Sequence, residues 1–205
     1  MSEDGHKKEK RDTKKLILDA AIKIIGQKGY HETTIRDIVK ESGQAIGTIY
    51  NYFKSKEEMM LVAFKEFFEE MLIYNDVQEK AFTSIKDKVD GHIKYLIDYF
   101  VKYPAFLRIF VVELNNLYFK GSDEEIEKVI ELWDQVYAEV ARKLKEGRDK
   151  GELYFEGDPS LYPPVLIGAV QGFLKETLMV QGSITPEQLE SFTHFIMHGL
   201  ANRRK

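Results

Sequence analysis

His194 and His198 stand four residues apart in a helical pattern, the spacing at which two imidazoles on one helix face can share a zinc ion. No third ligand is evident nearby. The chain has no cysteine, which excludes disulfides and thiolate zinc sites. The pair therefore reads as surface or interface histidines, and no metal is expected. His92, on the apolar face of another helix, reads as a satisfied core histidine or a pocket-lining residue rather than a metal ligand. No carboxylate–histidine set and no nucleophile–base pair occurs at useful spacing, so neither an enzyme nor a cofactor is expected. Glu113, Asn116 and Gln171 are polar residues inside very apolar segments; each is either paired in the core or orients a ligand.

The chemistry that the spacing does support lies in residues 33–56, TTIRDIVKESGQAIGTIYNYFKSK. Thr34 to Glu41 carries Ile35, Ile38 and Val39 on one side. Ser42-Gly43-Gln44 follows, and Gly43 can take the positive φ of a sharp inter-helix turn. Ala45 to Tyr52 then carries Ile46, Ile49 and Tyr50, with Phe53 beyond. These are the proportions of a helix-turn-helix, whose second helix would enter a DNA major groove. Charge fits that reading. The whole chain is at −4, but residues 1–56 hold 12 Lys+Arg against 8 Asp+Glu, so the excess of acid falls in the remainder. A basic head on an acidic body suits a nucleic-acid module joined to something that faces elsewhere.

The elements that must position this stretch are helical. Leu16, Ile17, Ala20, Ala21, Ile24 and Ile25 predict a first helix over 13–28, ended by Gly26 and Gly29 and preceded by a loose charged arm over 1–12. Thr33 is the expected N-cap of the next helix. A small core of Leu16, Ala20, Ile24, Ile35, Ile38, Val39, Ile49 and Phe53 is expected. Ser55 and Glu58 form a capping box that opens a long aromatic-rich helix. Further helices are predicted over 81–103, 105–119 (apolar almost all round, hence buried), from Ser122 to Lys150, over 165–180 after a Pro-rich linker at 152–164, and from Thr185 to the end. Pro104 stops one helix and suits the first turn of the next. The class is all-α with about nine helices: an N-terminal three-helix helix-turn-helix domain over 1–56 and a larger helical domain over 57–205. No segment has the make-up of a signal peptide or membrane span, so a cytoplasmic protein is expected.

The order and spacing of Gly29-Tyr30, Thr33-Thr34-Ile35-Arg36-Asp37-Ile38, Ser42-Gly43, Gly47-Thr48-Ile49-Tyr50 and Tyr52-Phe53-Lys54-Ser55-Lys56-Glu57-Glu58 resemble the N-terminal domain of TetR-family transcriptional regulators, over about 50 residues. Beyond it the resemblance is one of helix count and lengths. It implies a homodimer on a roughly palindromic operator, with a ligand in the larger domain changing the spacing of the DNA-reading heads. Thr34 and Lys56 match phosphate anchors. Tyr50 and Tyr52 resemble an aromatic pair that presses on the backbone. Arg36, Ala45, Ile46, Gly47 and Thr48 match base-facing positions. Gln44 departs from the small aliphatic residue usual after the turn glycine, and can face DNA instead.

For the body, the resemblance implies a ligand pocket among the middle helices, with Phe67, Tyr95, Tyr99, Phe110, Glu113, Trp133, Tyr137 and Phe173 as lining candidates. An apolar aromatic pocket favours an acyl-type effector first and an aromatic or cationic drug second, with Glu113 as counter-charge for the latter. The last two helices offer a dimer face of Gly168, Gly172, Phe192, Phe195, Ile196 and Leu200. The competing expectation is a DNA-binding dimer without an effector, its body serving only dimerisation or a protein partner.

Overall fold

A computed structural model describes the backbone of residues 3–117 and 124–201, and the side chains of 10–77, 80–111, 124 and 126–199. Glu113, Asn116 and Leu200 thus lie outside the described side chains, and Ser122 outside the described backbone. Among the described residues there are nine α-helices and no strand. They are α1 (Glu3–Lys28), α2 (Ile35–Ser42), α3 (Ile46–Tyr52), α4 (Lys56–Ala81), α5 (Ile85–Lys102), α6 (Pro104–Leu117), α7 (Glu124–Asp149), α8 (Tyr162–Leu174) and α9 (Pro186–Ala201). The chain divides into two compact units: Met1–Glu66 with Pro104–Val129, and Phe67–Tyr103 with Ile130–Lys205.

The first unit is built on α1. Its helix begins ten residues before the predicted start at residue 13, so the expected loose arm is helical from Glu3 onward. That segment, EDGHKKEKRD, holds no proline and no β-branched residue, and a helix anchored by a buried turn propagates through such residues at little cost. Of the predicted core residues on this helix Ala20 and Ile24 are buried, together with Ile17, Leu18, Ala21 and Ile25, whereas Leu16 is 47% exposed. Gly26 does not end the helix. A Cβ there would lie 2.5 Å from the Cβ of Ala105 and 2.7 Å from its carbonyl oxygen, so the missing side chain lets α1 and α6 meet backbone to backbone. Arg108 on α6 donates to the Gly26 carbonyl at 3.0 Å. Phe106, Leu107, Ile109 and Phe110 are buried, as the apolar run of α6 requires.

In the second unit Ser84, not Ala81, sets the start of α5; its hydroxyl accepts from the Asp87 amide at 3.3 Å. The Pro-rich linker is packed. Leu153 and Phe155 are buried, Ile85 N–H donates to Glu152 Oε2 at 2.6 Å, and Arg148 donates to the Gly157 carbonyl at 2.7 Å. Pro163 and Pro164 fall inside the first turn of α8, where no amide is needed. The helix expected to run to Val180 changes at Lys175 into a π-helical turn (Lys175–Gln181), closed by Gly182 at φ 87°. The Thr177 hydroxyl donates to the Phe173 carbonyl at 2.8 Å within it.

Candidate nucleic-acid interface and buried cavity

The turn between α2 and α3 is fixed from both ends. At its start the N-cap is Thr34, one residue later than the sequence pattern predicts, because Thr33 is buried and its hydroxyl donates to the Gly29 carbonyl at 2.8 Å. Thr34 Oγ1 accepts from the Asp37 amide at 3.3 Å and donates to Asp37 Oδ2 at 2.8 Å; the Asp37 carboxylate also accepts from the Thr34 amide at 3.0 Å. This is a reciprocal capping box. Lys28 on α1 adds an ion pair to Asp37 at 2.6 Å. The Lys28 hydrogen bond, then those from Thr34, hold the Asp37 carboxyl well below the usual carboxylate range. At the far end Gly43 takes φ 67° and its N–H donates to the Val39 carbonyl at 3.0 Å, a left-handed cap that a side chain would strain.

On α3 the two faces differ sharply. Ile49 is fully buried and Phe53 nearly so. Ala45, Ile46 (48%), Gly47 and Tyr50 (52%) are exposed, Gln44, Thr48 and Tyr52 are half-buried, and Arg36 is exposed on α2. Exposure of Ile46 and Tyr50, one helical turn apart, leaves an apolar, close-approach surface without protein cover. Nothing lies within 4 Å of where a Gly47 Cβ would stand.

Two expected phosphate anchors have structural work of their own. The Thr34 hydroxyl is engaged in the cap. Lys56 Nζ donates to the Thr33 carbonyl at 2.7 Å and to the Tyr30 carbonyl, and sits 4.2 Å from the Tyr30 ring centroid, so it closes the loop between α1 and α2. The start of α4 repeats the capping logic: Ser55 Oγ accepts from the Glu58 amide at 3.1 Å, and the Glu58 carboxylate accepts from the Lys54 amide at 2.5 Å.

The second unit holds a partly open apolar cavity of about 50 Å³. Leu96, Ile93, Val140, Leu144, Ile167, Val170 and Ile196 form most of its wall. The described aromatic candidates line none of it. Phe67 is packed against Phe68, Tyr99 and Phe100, with centroids 4.8–5.5 Å apart. Tyr95 stacks on Tyr74 at 4.1 Å, Trp133 lies 4.8 Å from Tyr137, and Phe173 stacks on Phe192 at 4.2 Å. Phe110 belongs to the first unit, 6.4 Å from Phe64 and from Phe106. The rings satisfy one another, so the space is left to branched aliphatics and to three polar residues: His92, which the sequence offers as a core or pocket-lining histidine, and Asn75 and Lys143, which it does not single out. For His92, its apolar setting in the sequence was the available signal.

Lys143 is 3% exposed and donates to Asn75 Oδ1 at 2.9 Å. Asn75 Nδ2 and His92 Nδ1 are closed off from solvent and have no hydrogen-bond partner in the protein. Burial, with the Lys143 charge second, lowers the His92 imidazole from 6.5 to about 4. His194 and His198 line a different, open groove with Lys86, Asp90 and Glu190, their rings 4.0 Å apart. Among the described residues no group of three His, Cys, Asp or Glu could hold a metal ion.

On α8 and α9 an apolar stripe faces outward. Leu161, Val165, Gly168 and Gly172 follow one helical phase, all exposed, and Phe195 on α9 is 72% exposed. Phe192 is half-buried against Phe173. Ile196 turns inward to the cavity and is buried, so it does not belong to that exposed face. Among the described residues no helix is long and apolar enough to cross a membrane.

An exposed second helix on a capped turn, in a chain whose described elements are all helical, defines a helix-turn-helix unit. Residues 17–63 match the sequence profile described as "Bacterial regulatory proteins, tetR family". The match covers the segment that carries the helix-turn-helix, so residues 17–63 are similar to the N-terminal domain of TetR-family regulators. The chain is similar to the "Fatty acid metabolism regulator protein" of Bacillus subtilis (strain 168), 44% identical over 78 residues; the match spans 36% of this chain and 39% of that protein. The same fold occurs in the fatty acid degradation regulator FadR from Bacillus halodurans, with TM-score 0.78, 23% identity, and coverage of 93% of this chain and 97% of that one. It also occurs in the transcriptional regulator FadR from Bacillus subtilis in complex with stearoyl-CoA, with TM-score 0.74, 24% identity, and coverage of 90% and 97%.

Proposed function

We propose that this protein is a repressor released from its operator by an acyl-type hydrophobic molecule. Residues 1–56 act as the DNA-reading domain and 57–205 as the ligand-binding and dimerisation domain. The observation that carries the proposal is the bare face of α3: Ala45, Ile46, Gly47 and Tyr50 stand open on a helix whose other side is fully buried. A soluble chain gains nothing from exposed Ile and Tyr at a helix start unless something covers them. Two copies joined through the stripe of Leu161, Val165, Gly168, Gly172 and Phe195 would present two such helices to major grooves roughly 34–36 Å apart on a palindromic operator. Arg36, exposed on α2, would read guanine by a bidentate contact worth about 1–3 kcal/mol of discrimination. Ala45 and Ile46 offer apolar contact to thymine methyls.

The acyl preference draws on the aliphatic cavity wall and on the stearoyl-CoA complex of the B. subtilis structure. A cation is disfavoured, since the charged residue on this cavity wall is Lys143 and Glu113 lies outside the described side chains. At about 50 Å³ the cavity is far below the roughly 300–1,000 Å³ of small-molecule sites, so an acyl chain enters only as the wall helices part. A ligand that fits only the opened form shifts the protein toward it, which is what an effector must do. The same small volume favours the second reading, a dimer without an effector. Fluorescence anisotropy with operator DNA from the protein's own promoter, with and without stearoyl-CoA and oleate, separates them. Release by either supports the proposal; tight binding unchanged by both favours the effector-free dimer.

A further inference from the structure

The cavity is apolar except at one corner, where three polar residues from three helices converge: Asn75 of α4, His92 of α5 and Lys143 of α7. Burying such groups costs free energy unless they are hydrogen-bonded. Two of their atoms, Asn75 Nδ2 and His92 Nδ1, are buried without a protein partner. Asn75 is oriented by Lys143, whose ammonium donates to its Oδ1 at 2.9 Å. That contact consumes the acceptor end of the amide and leaves the donor end, Nδ2, for something else. Apolar packing alone would be served better by Leu at all three positions. Among the described residues that line the cavity there is no Asp or Glu.

We infer that this corner is a seat for the carboxylate of an apolar acid, with one carboxylate oxygen accepting from Asn75 Nδ2 and the Lys143 ammonium on the same wall. The neutral His92 ring adds a second polar contact, and the aliphatic wall of Leu96, Ile167 and Val170 takes the tail. Size agrees with a free acid rather than a bulky ester at this point. About 50 Å³ is room for about four waters, hence for a carboxylate and a few methylenes before the helices must move. The inference rests on the reading of the cavity as an effector site, and adds that the effector's acidic end, not a thioester, lies innermost.

The test compares octanoate, 1-octanol and octanoyl-CoA by isothermal titration at pH 7.5 on the full chain. Octanoate should bind at least tenfold more tightly than octanol. Asn75→Asp keeps the shape and the contact to Lys143 but replaces the donor with an oxygen that repels a carboxylate. It should lose octanoate affinity at least tenfold and leave octanol binding within threefold. His92→Phe, which needs no new polar partner, should weaken octanoate more than octanol. Octanol binding as tightly as octanoate overturns the inference, as does unchanged octanoate binding in folded Asn75→Asp. Octanoyl-CoA binding without octanoate binding overturns the carboxylate seat and leaves the acyl-effector reading standing. Absence of binding by all three removes both.

Discussion

His92 makes the stability of the second unit depend on pH in a window that can be stated in advance. Its imidazole is lowered from 6.5 to about 4, chiefly by burial and then by the nearby Lys143 charge. The unfolded chain therefore takes up a proton near pH 6.5, while the folded chain resists until about pH 4. Between these values the unfolded state binds more protons, so stability is complete above about pH 6.5 and is lost as the pH falls toward 4. For a drop from pH 7.5 to 5 the linkage relation gives about 2 kcal/mol lost through this one group. Against a typical domain stability of about 5–15 kcal/mol that is a measurable fraction. The chain has one tryptophan, Trp133, which is buried in this unit against Phe68, so its fluorescence reports the unit concerned. Urea unfolding at the two pH values, in wild type and in His92→Gln, isolates the contribution, because other titrating groups cancel in the difference. Wild type should lose about 2 kcal/mol more than the variant. Equal losses in the two proteins would show that the imidazole is hydrated in the folded state, and the orphaned Nδ1 with it.

Three further outcomes follow from the packing and the exposed faces. Lys56→Ala should weaken binding to operator and random DNA alike and flatten the salt slope by about one unit. It should also destabilise the first unit by about 1.5–3 kcal/mol in denaturant titrations followed by circular dichroism, since the Tyr30 and Thr33 carbonyls lose a charged donor; lost DNA binding at unchanged stability would refute the loop-closing role. Gly26→Ala should cost about 1–3 kcal/mol through the collision with Ala105, an overpacking effect read by the same titration. Phe195→Glu should turn a dimer into a monomer in sedimentation velocity experiments; a dimer of undiminished affinity would move the subunit contact away from the α8–α9 stripe.

The helix-turn-helix was legible because its determinants are local. Gly43 needs a left-handed φ, Ile38 and Ile49 need burial, and both facts show in a few consecutive residues. What sequence spacing could not supply were partners distant in the chain. Gly26 looks like a terminator until Ala105, nearly eighty residues away, is seen against it. Leu16 and Ile17 are both compatible with an apolar stripe, and which one turns inward is decided by packing. The same limit explains the cavity. Aromatic residues mark space to be filled, and here they fill it on one another, while a pocket is found where small or branched side chains leave a gap.

Asn75, His92 and Lys143 belong to three helices and are separated by 17 and 51 residues, so no local pattern could bring them to one corner. Their presence there bears on how a signal could be generated at all. An effector acts only through the difference between its affinities for two states, and a purely apolar cavity that closes on itself offers little such difference. A corner with two unpartnered buried polar atoms does offer it, because those atoms are unsatisfied in the closed unit and become satisfied when a ligand oxygen enters. Filling the corner with a tail longer than the cavity would then push on α4 and α7 at the place where the Lys143–Asn75 hydrogen bond ties them. The coupling would thus arise from the same three side chains that recognise the acid. Removing the donor in Asn75→Asp should abolish release of DNA by octanoate while leaving operator affinity in its absence within threefold, and a variant that still releases DNA would place the trigger elsewhere.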